Sequence, residues 1–248
     1  SRKQENWKFL DINQIIKKNI GDLGFFNDYS LPNKIDTSIF VDGLEHNKII
    51  FINGRIEKID FNYEDKNKIE ISDEVENRFL FDSENSLIDL NNAFTNKSFK
   101  ILIKENYSLR KPLIIYHVTN EKIKSKSINL RLDFELEQNS SLRLIDFFAD
   151  NADKNFVNIL YNFNMKKDSI LKNYKIDKFN NDILKYSFNN IEQETNSISE
   201  TFILSSGSNY FKNEVNCNLK GKYSSAFVNG VFSLKENQQH EIRTTINH

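Results

Sequence analysis

The sequence predicts a mainly β protein. A coil of short strands, a β-helix or solenoid, occupies residues 98–248, and a small mixed α/β region occupies residues 1–97. Three observations predict it. From Ser98 on, apolar and polar residues alternate in run after run, the period-2 pattern of strands with one buried face. The chain holds only 7 Gly and 2 Pro, well below ordinary usage of about 7% and 5%. Asn is the most abundant residue, and Asn tolerates the left-handed backbone and makes Asx-turns. AT-rich coding inflates Asn, Lys, Ile and Phe together and accounts for part of that excess. A hairpin-built sandwich carries more Gly and Pro at its turns. A coiling sheet with Asn-rich corners, whose amides stack as ladders, fits better. The strands follow no strict sequence period, so alternation alone settles the β class from about residue 98 and does not settle the coil.

The N-terminal region reads in short pieces. Asp11 suits the N-cap of a short helix carrying Ile12, Ile15 and Ile16, with Gln14 at the capping-box position. Gly21 and Gly24 stop it. Trp7, the only Trp, serves as an apolar anchor ahead of that helix. Leu31-Pro32 marks a non-helical connection. Two apolar runs flank Asn53-Gly54 over residues 48–56, the strongest short hairpin signal in the chain. Residues 64–78 are charge-rich and read as a solvated surface segment. Residues 82–95 read as a helix with Leu87, Leu90 and Phe94 on one face.

Strand signals dominate after that. Residues 99–103 and 109–116 open the series. Residues 129–136 alternate cleanly, with Leu130, Leu132, Phe134 and Leu136 to one side. Residues 141–148, 157–165, 170–176, 183–188, 198–204 and 210–219 follow. Gly221 ends the last of these. Residues 226–234 read as strand broken by the turn dipeptide Asn229-Gly230. Residues 240–246, rich in β-branched side chains, close the chain.

Composition excludes several function classes. With 34 Lys plus Arg against 35 Asp plus Glu, the net charge is -1, which gives no reason to invoke nucleic acid or an acidic membrane surface. The 21 Phe and 9 Tyr supply ample apolar area for a core. One Cys, Cys217, permits no internal disulfide and holds no Cys-rich cluster. No apolar run approaches the roughly 20 residues of a membrane span. The sequence contains no nucleotide-binding glycine loop, no H-E-x-x-H, no C-x-x-C and no nucleophile elbow.

Two sets of residues carry candidate chemistry. Asp133/Glu135 and Glu192/Glu194 are carboxylate pairs at i,i+2, on one face of a strand. Such pairs serve sugar chemistry in β-helical enzymes, and they also arise freely on solvated faces. Cys217, His240 and His248 are candidate metal ligands, since deprotonated Cys and neutral His bind iron. The set requires neighbouring rungs to bring the three together. Against it, Cys217 alternates with Val215 and Leu219, where a free Cys is a small buried hydrophobe. His117, inside a Tyr-His-Val run, reads as structural.

The same C-terminal stretch carries a resemblance. Asn216, Leu219 and Gly221, then Val228 and Gly230, then Gln239-His240, Thr244 and a closing His248 resemble the SufB/SufD family, the β-helical scaffold subunits of the SUF iron–sulfur cluster assembly system. Residues 90–94 resemble the L-N-x-A-F segment that precedes the family's β-helix, and residues 111–116 its basic-Pro-apolar strand. Glu5, Trp7, Lys8 and Phe9 resemble the opening of the SufD-like branch rather than that of its SufB paralogue.

The resemblance implies a right-handed single-stranded β-helix and a non-catalytic scaffold subunit. It implies SufB as heterodimer partner and the SufC ATPase as the source of ATP hydrolysis, with a homodimer as an alternative assembly and no nucleic acid or membrane partner. It implies no firmly bound cofactor, only a transient iron–sulfur cluster or iron in the SufB-containing complex. The implied compartment is the bacterial cytoplasm, or the plastid stroma in a plastid-bearing eukaryote. The family continues past the last residue here, through further rungs with a late Cys/His strand and a helical SufC-contacting domain, so the likeness covers its front and central part. A SufB-like paralogue, a β-helical carbohydrate-active enzyme and a purely structural solenoid are the alternatives.

Overall fold

The computed structural model describes residues 12–19, 21–26, 40–74, 85–95, 98–150, 154–178, 183–235 and 237–248. Asp11, the Trp7 segment and Leu31-Pro32 lie outside them. Helix α1 (Ile12–Asn19) ends where Gly21, at φ +86°, donates its N–H to the Ile16 carbonyl at 3.1 Å. A two-residue strand β1 (Gly24–Phe25) follows. Strands β2 (Asn47–Ile52) and β3 (Arg55–Asp60) form the expected antiparallel hairpin. Asn53 and Gly54 turn it with positive φ of 50° and 79°. The charge-rich segment is not simply a solvated surface. Ile69 and Ile71 alternate with polar residues in strand β4 (Ile69–Glu74) and pack against the core. Helix α2 (Ser86–Phe94) starts at Asn85, whose side chain accepts from the Leu87 N–H.

From there the chain shuttles between two sheets. Strands β5 (Ser98–Ile103), β7 (Lys126–Leu136), β9 (Asn155–Met165), β11 (Ile183–Gln193), β13 (Tyr210–Leu219) and β15 (Gln239–Asn247) line the first sheet. Strands β6 (Leu113–Thr119), β8 (Ser141–Asp150), β10 (Ile170–Lys178), β12 (Ile198–Ser206) and β14 (Ser225–Ser233) line the second. Each strand pairs in parallel with the strand two later in sequence. The result is a β-solenoid of about 5 turns, rising about 4.8 Å per circuit. The sheets reach further back than residue 98: β2 pairs in parallel with β6, and its Ile49 and Phe51 belong to the core.

The core lies between the two sheets. Leu132, Phe134, Tyr161, Phe163, Leu144 and Ile115 are among its fully buried members. A smaller cluster lies outside the first sheet, where α2 covers Phe156, Leu160, Leu184, Tyr186 and Phe188 with Leu87 and Ile88. Its polar clasp is Asn91, which donates to the Leu130 and Asn158 carbonyls at 3.2 and 2.9 Å.

The corners repeat although the sequence shows no fixed period. After each first-sheet strand from β5 to β13, one residue takes a positive φ: Asn106, Asn139, Asp168, Asn196 and Tyr223. The first four donate their backbone N–H to a carbonyl one rung on, those of Gln138, Lys167, Thr195 and Lys222. Asn139 Nδ2 donates to Asn106 Oδ1 at 3.0 Å, and Asn196 Nδ2 to Asp168 Oδ1 at 2.6 Å. The corner amide ladders read from composition are present. Their spacing shortens from rung to rung, which hides the repeat.

Two glycines are fixed by close approach. A Cβ on Gly221 would meet the Thr195 backbone nitrogen at 1.9 Å, so the corner of β13 sits against the corner before it. Asn229-Gly230 is not a turn: β14 runs straight through it. A Cβ on Gly230 would meet Ile242 Cδ1 at 2.3 Å, so this glycine makes room for the facing sheet.

Candidate functional site

Period-2 alternation puts charged residues among the inward-facing ones. In β8, Asp146 points the same way as Leu142, Leu144 and Phe148, all buried. In β10, Lys175 and Asp177 share the face of Leu171. In β11 the pattern is inverted: Lys185, Ser187 and Asn189 face inward, while Leu184, Tyr186 and Phe188 face out beneath α2. The interior therefore holds a charged cluster that alternation across the strands made legible but that the sequence reading did not single out.

Its geometry is specific. Asp146 Oδ1 accepts from His117 Nε2 at 2.7 Å. Asp146 Oδ2 accepts from the Tyr161 hydroxyl at 2.6 Å and from Lys175 Nζ at 2.8 Å. Lys175 Nζ also lies 3.3 Å from the centre of the Tyr161 ring, a cation–π contact. One rung along, Lys185 donates to Asp177 and sits 4.6 Å from the Phe148 ring centre. The His117 ring stacks between Phe51 and Phe148, at 5.5 and 5.3 Å. His117 is the most exposed of these polar groups, at 4%.

Burial opposes ionisation of Asp146, but Lys175 and His117 beside it hold its carboxyl well below the usual range. Burial, and then the Asp146 charge, push the Tyr161 phenol well up. Burial draws Lys175 down and pushes Asp177 up. The cluster is closed to substrate-sized molecules. Its chemistry is that of mutually neutralising charges, each with a fixed partner. A slip of one residue in β8 or β10 would turn these charges outward and leave their partners unpaired inside, so the cluster locks the rungs in register.

The sequence candidates for metal binding are not gathered. Cys217 pairs with Ile246, and His240 with Phe211, in the β13–β15 ladder. That is six residues of offset, about 20 Å along a strand. His248 lies beyond β15 and is exposed. Cys217 is fully buried, and burial pushes its thiol up to about 11. His240 is half-buried. Its Nε2 faces the Ser208 carbonyl at 2.9 Å, which only accepts, so the proton sits there and Nδ1 accepts from the Ser205 hydroxyl at 2.9 Å. Among the described residues, no group of three or more His, Cys, Asp or Glu is placed to hold a metal ion.

The carboxylate pairs do not share a cleft. Asp133, Glu135 and Glu192 sit on the outer face of the first sheet, and Glu194 sits at the corner after β11. Glu135 pairs with Lys100 at 2.8 Å, and Glu194 with Lys166 at 2.9 Å. Glu192 is held by Asn190, Asn218 and Lys220. It belongs to a second amide ladder on this face: Asn216 donates to Asn190 at 3.0 Å, and Asn190 to Asn162 at 3.1 Å.

Residues 117–248, from within β6 to the last strand, match the SufBD core domain of the SUF system for FeS cluster assembly. The chain belongs to the SufB/SufD family. No curated protein matches it. The match covers all the C-terminal residues that carry the likeness in sequence, and it coincides with the regular part of the solenoid. The N-terminal hairpin, α1 and α2 precede it. The SufBD core rungs of this chain thus hold the buried charge cluster, Cys217 and His240. Among the described residues no helix is long and apolar enough to cross a membrane.

Proposed function

We propose that this chain is a SufD-like scaffold subunit of the SUF system, pairing with SufB and working with the SufC ATPase. The observation that carries the reading is the SufBD core match laid over a solenoid whose buried charge cluster is sealed and whose Asp133, Glu135 and Glu192 carboxylates lie on an open face. Such a body offers surfaces rather than a reaction centre. The SufD branch is favoured over SufB by Glu5, Trp7, Lys8 and Phe9. ATP hydrolysis belongs to the partner, since the sequence holds no phosphate-cradling glycine loop. Any iron or cluster is transient cargo of the SufB-containing complex rather than a resident group. Cys217, His240 and His248 act in this reading as parts of the fold.

The test is co-purification with SufB and with SufC, each offered separately, read by size-exclusion chromatography. Binding to SufB is expected, with no ATP turnover by the chain alone. A folded chain that binds neither partner, or that hydrolyses ATP unaided, overturns the scaffold reading.

A further inference from the structure

Lys185 and Asp177 meet inside the solenoid in a setting that favours more than an ion pair. They lie eight residues apart in sequence, across the corner that joins β10 of the second sheet to β11 of the first. Lys185 Nζ is in close contact with Asp177 Oδ1. Each side chain is 1% exposed. Phe148 neighbours Asp177 in the β8–β10 ladder, and Phe211 neighbours Lys185 in the β11–β13 ladder. Their ring centres lie 4.6 and 6.0 Å from Lys185 Nζ, so aromatic rings wall the contact.

The other buried pairs are built differently. Asp146 has donors on both oxygens, His117 on one and Tyr161 and Lys175 on the other, which fixes it as a carboxylate. Lys212 is divided between Glu214 at 3.1 Å and Glu241 at 3.4 Å, and Glu241 is 36% exposed. Asp177 accepts from Lys185 on Oδ1, and its buried Oδ2 has no hydrogen-bond partner among the described residues. Burial disfavours the charged pair and pushes the Asp177 carboxyl up. A proton passed from Nζ to Oδ2 leaves a neutral amine against a neutral carboxyl. A desolvated lysine amine is a nucleophile. Two groups held in reacting contact behave as if each met the other at an effective molarity of about 10⁵ M or more.

We propose that Lys185 and Asp177 condense within the folded chain into an isopeptide bond that ties β10 to β11 across their corner. After the first proton has moved to Oδ2, Lys185 Nζ attacks Asp177 Cγ and the N–C bond forms. A second Nζ proton passes to Oδ2, the Cγ–Oδ2 bond breaks, and the oxygen leaves as water. The third proton stays on the amide nitrogen. The ammonium and the carboxylate together hold all the atoms of the amide and the water, so the step needs no oxidant, metal or co-reactant. The product replaces two buried charges with one neutral group and turns the register contact at this rung into a covalent staple. The inference concerns this chain alone and does not rest on the scaffold reading.

Intact-mass spectrometry of the folded, purified chain tests it. The parent chain is expected to be lighter than its sequence by one water. Fragment spectra are expected to join Lys185 to Asp177, and trypsin is expected not to cut after Lys185, whose amine is acylated. Lys185→Arg and Asp177→Ala are each expected at the full mass of their own sequences. A folded parent chain at its full sequence mass overturns the proposal. A water loss that persists in Lys185→Arg, or that maps to another residue as a succinimide, overturns it as well. Should either variant fail to fold, the fragment spectra of the parent chain decide alone.

Discussion

Asp146 Oδ2 lies 2.8 Å from Lys175 Nζ, on neighbouring strands of one sheet and inside the solenoid, where neither side chain reaches solvent. A charge pair in that position contributes little over an apolar pair of the same size, because both ions lose their water. Breaking it is another matter. Asp146→Asn removes the carboxylate that Lys175 Nζ bonds and leaves Lys175 buried with Asp177, already held by Lys185, as its nearby anion; it also weakens the bonds from His117 and Tyr161. The expected cost is about 3–5 kcal/mol. Asp146→Leu combined with Lys175→Met removes both charges and is expected to recover part of that loss. Urea denaturation of the two variants measures it. A cost below about 1 kcal/mol for Asp146→Asn would match an exposed pair and remove the cluster's role in holding register.

The two ends of the chain differ in how far the sequence exposed this arrangement. Most strands from β5 on were legible, because clean alternation survives wherever the outer face is solvated. Residues 129–136 are the best case. Strand β11 was legible as a strand but not by its faces: α2 covers its outside, so Leu184, Tyr186 and Phe188 point outward and Lys185, Ser187 and Asn189 point into the core. Helical cover reverses which side is apolar. Gly230 misled for a related reason, since it answers Ile242 on the facing sheet and no local signal reports that contact. The charged cluster was within reach of a count along β8 and β10, where Asp146, Lys175 and Asp177 fall on the side of Leu144 and Leu171. The separation of Cys217 from His240 was not, because it follows from the β13–β15 register.

Glu64 closes the first rung and gives an acid-sensitive contribution. Its carboxylate accepts from Asn47 Nδ2 and the Tyr107 hydroxyl, both at 2.7 Å, and from the backbone N–H groups of Lys111 at 3.0 Å and Arg110 at 3.1 Å. Burial opposes its charge, but these donors hold the carboxyl below its ordinary 4.5. A carboxyl depressed by folding stabilises above its unfolded pKa, and that stability is lost as pH falls through the folded value. Glu64→Gln is expected to cost about 2–3 kcal/mol at neutral pH and to flatten the decline in stability below pH 4.5. Urea midpoints taken from pH 7 to pH 3 check both. An acid decline as steep in the variant as in the parent would place the sensitivity in other carboxylates.

Cys217 reports on unfolding. The thiol is fully buried between Val215 and Leu219, and burial pushes its pKa up to about 11, so little thiolate forms near neutral pH. A thiol-specific disulfide reagent is expected to leave the native chain untouched and to react stoichiometrically in urea, with a midpoint matching circular dichroism. Rapid labelling of the folded chain would mean that the β13–β15 end opens on its own, and would return Cys217 to consideration as a ligand.

Tyr223 stands where the equivalent corners carry Asn or Asp. Its φ is 62°, beside 59° at both Asn196 and Asp168, and its side chain is 84% exposed. A left-handed conformation costs a residue with an ordinary Cβ about 1–2 kcal/mol, less for Asn, whose side chain bonds locally. The exposed ring returns little of that through packing. In Tyr223→Asn the new amide would stand one rung from Asn196, whose own Nδ2 is already given to Asp168 at 2.6 Å. Asn196 Oδ1 is then the acceptor for a new donor, which extends the corner ladder by one step. The substitution is expected to stabilise by about 1 kcal/mol, with a matching rise in melting temperature. Asn196→Ala is the converse: it keeps φ near 59° without the local amide and gives up the bond to Asp168, so it is expected to destabilise by about 1–2 kcal/mol. If Tyr223→Asn instead lowers stability, the exposed ring must contribute through contacts that outweigh the backbone cost, and the corner ladder would end at Asn196 by selection rather than by strain.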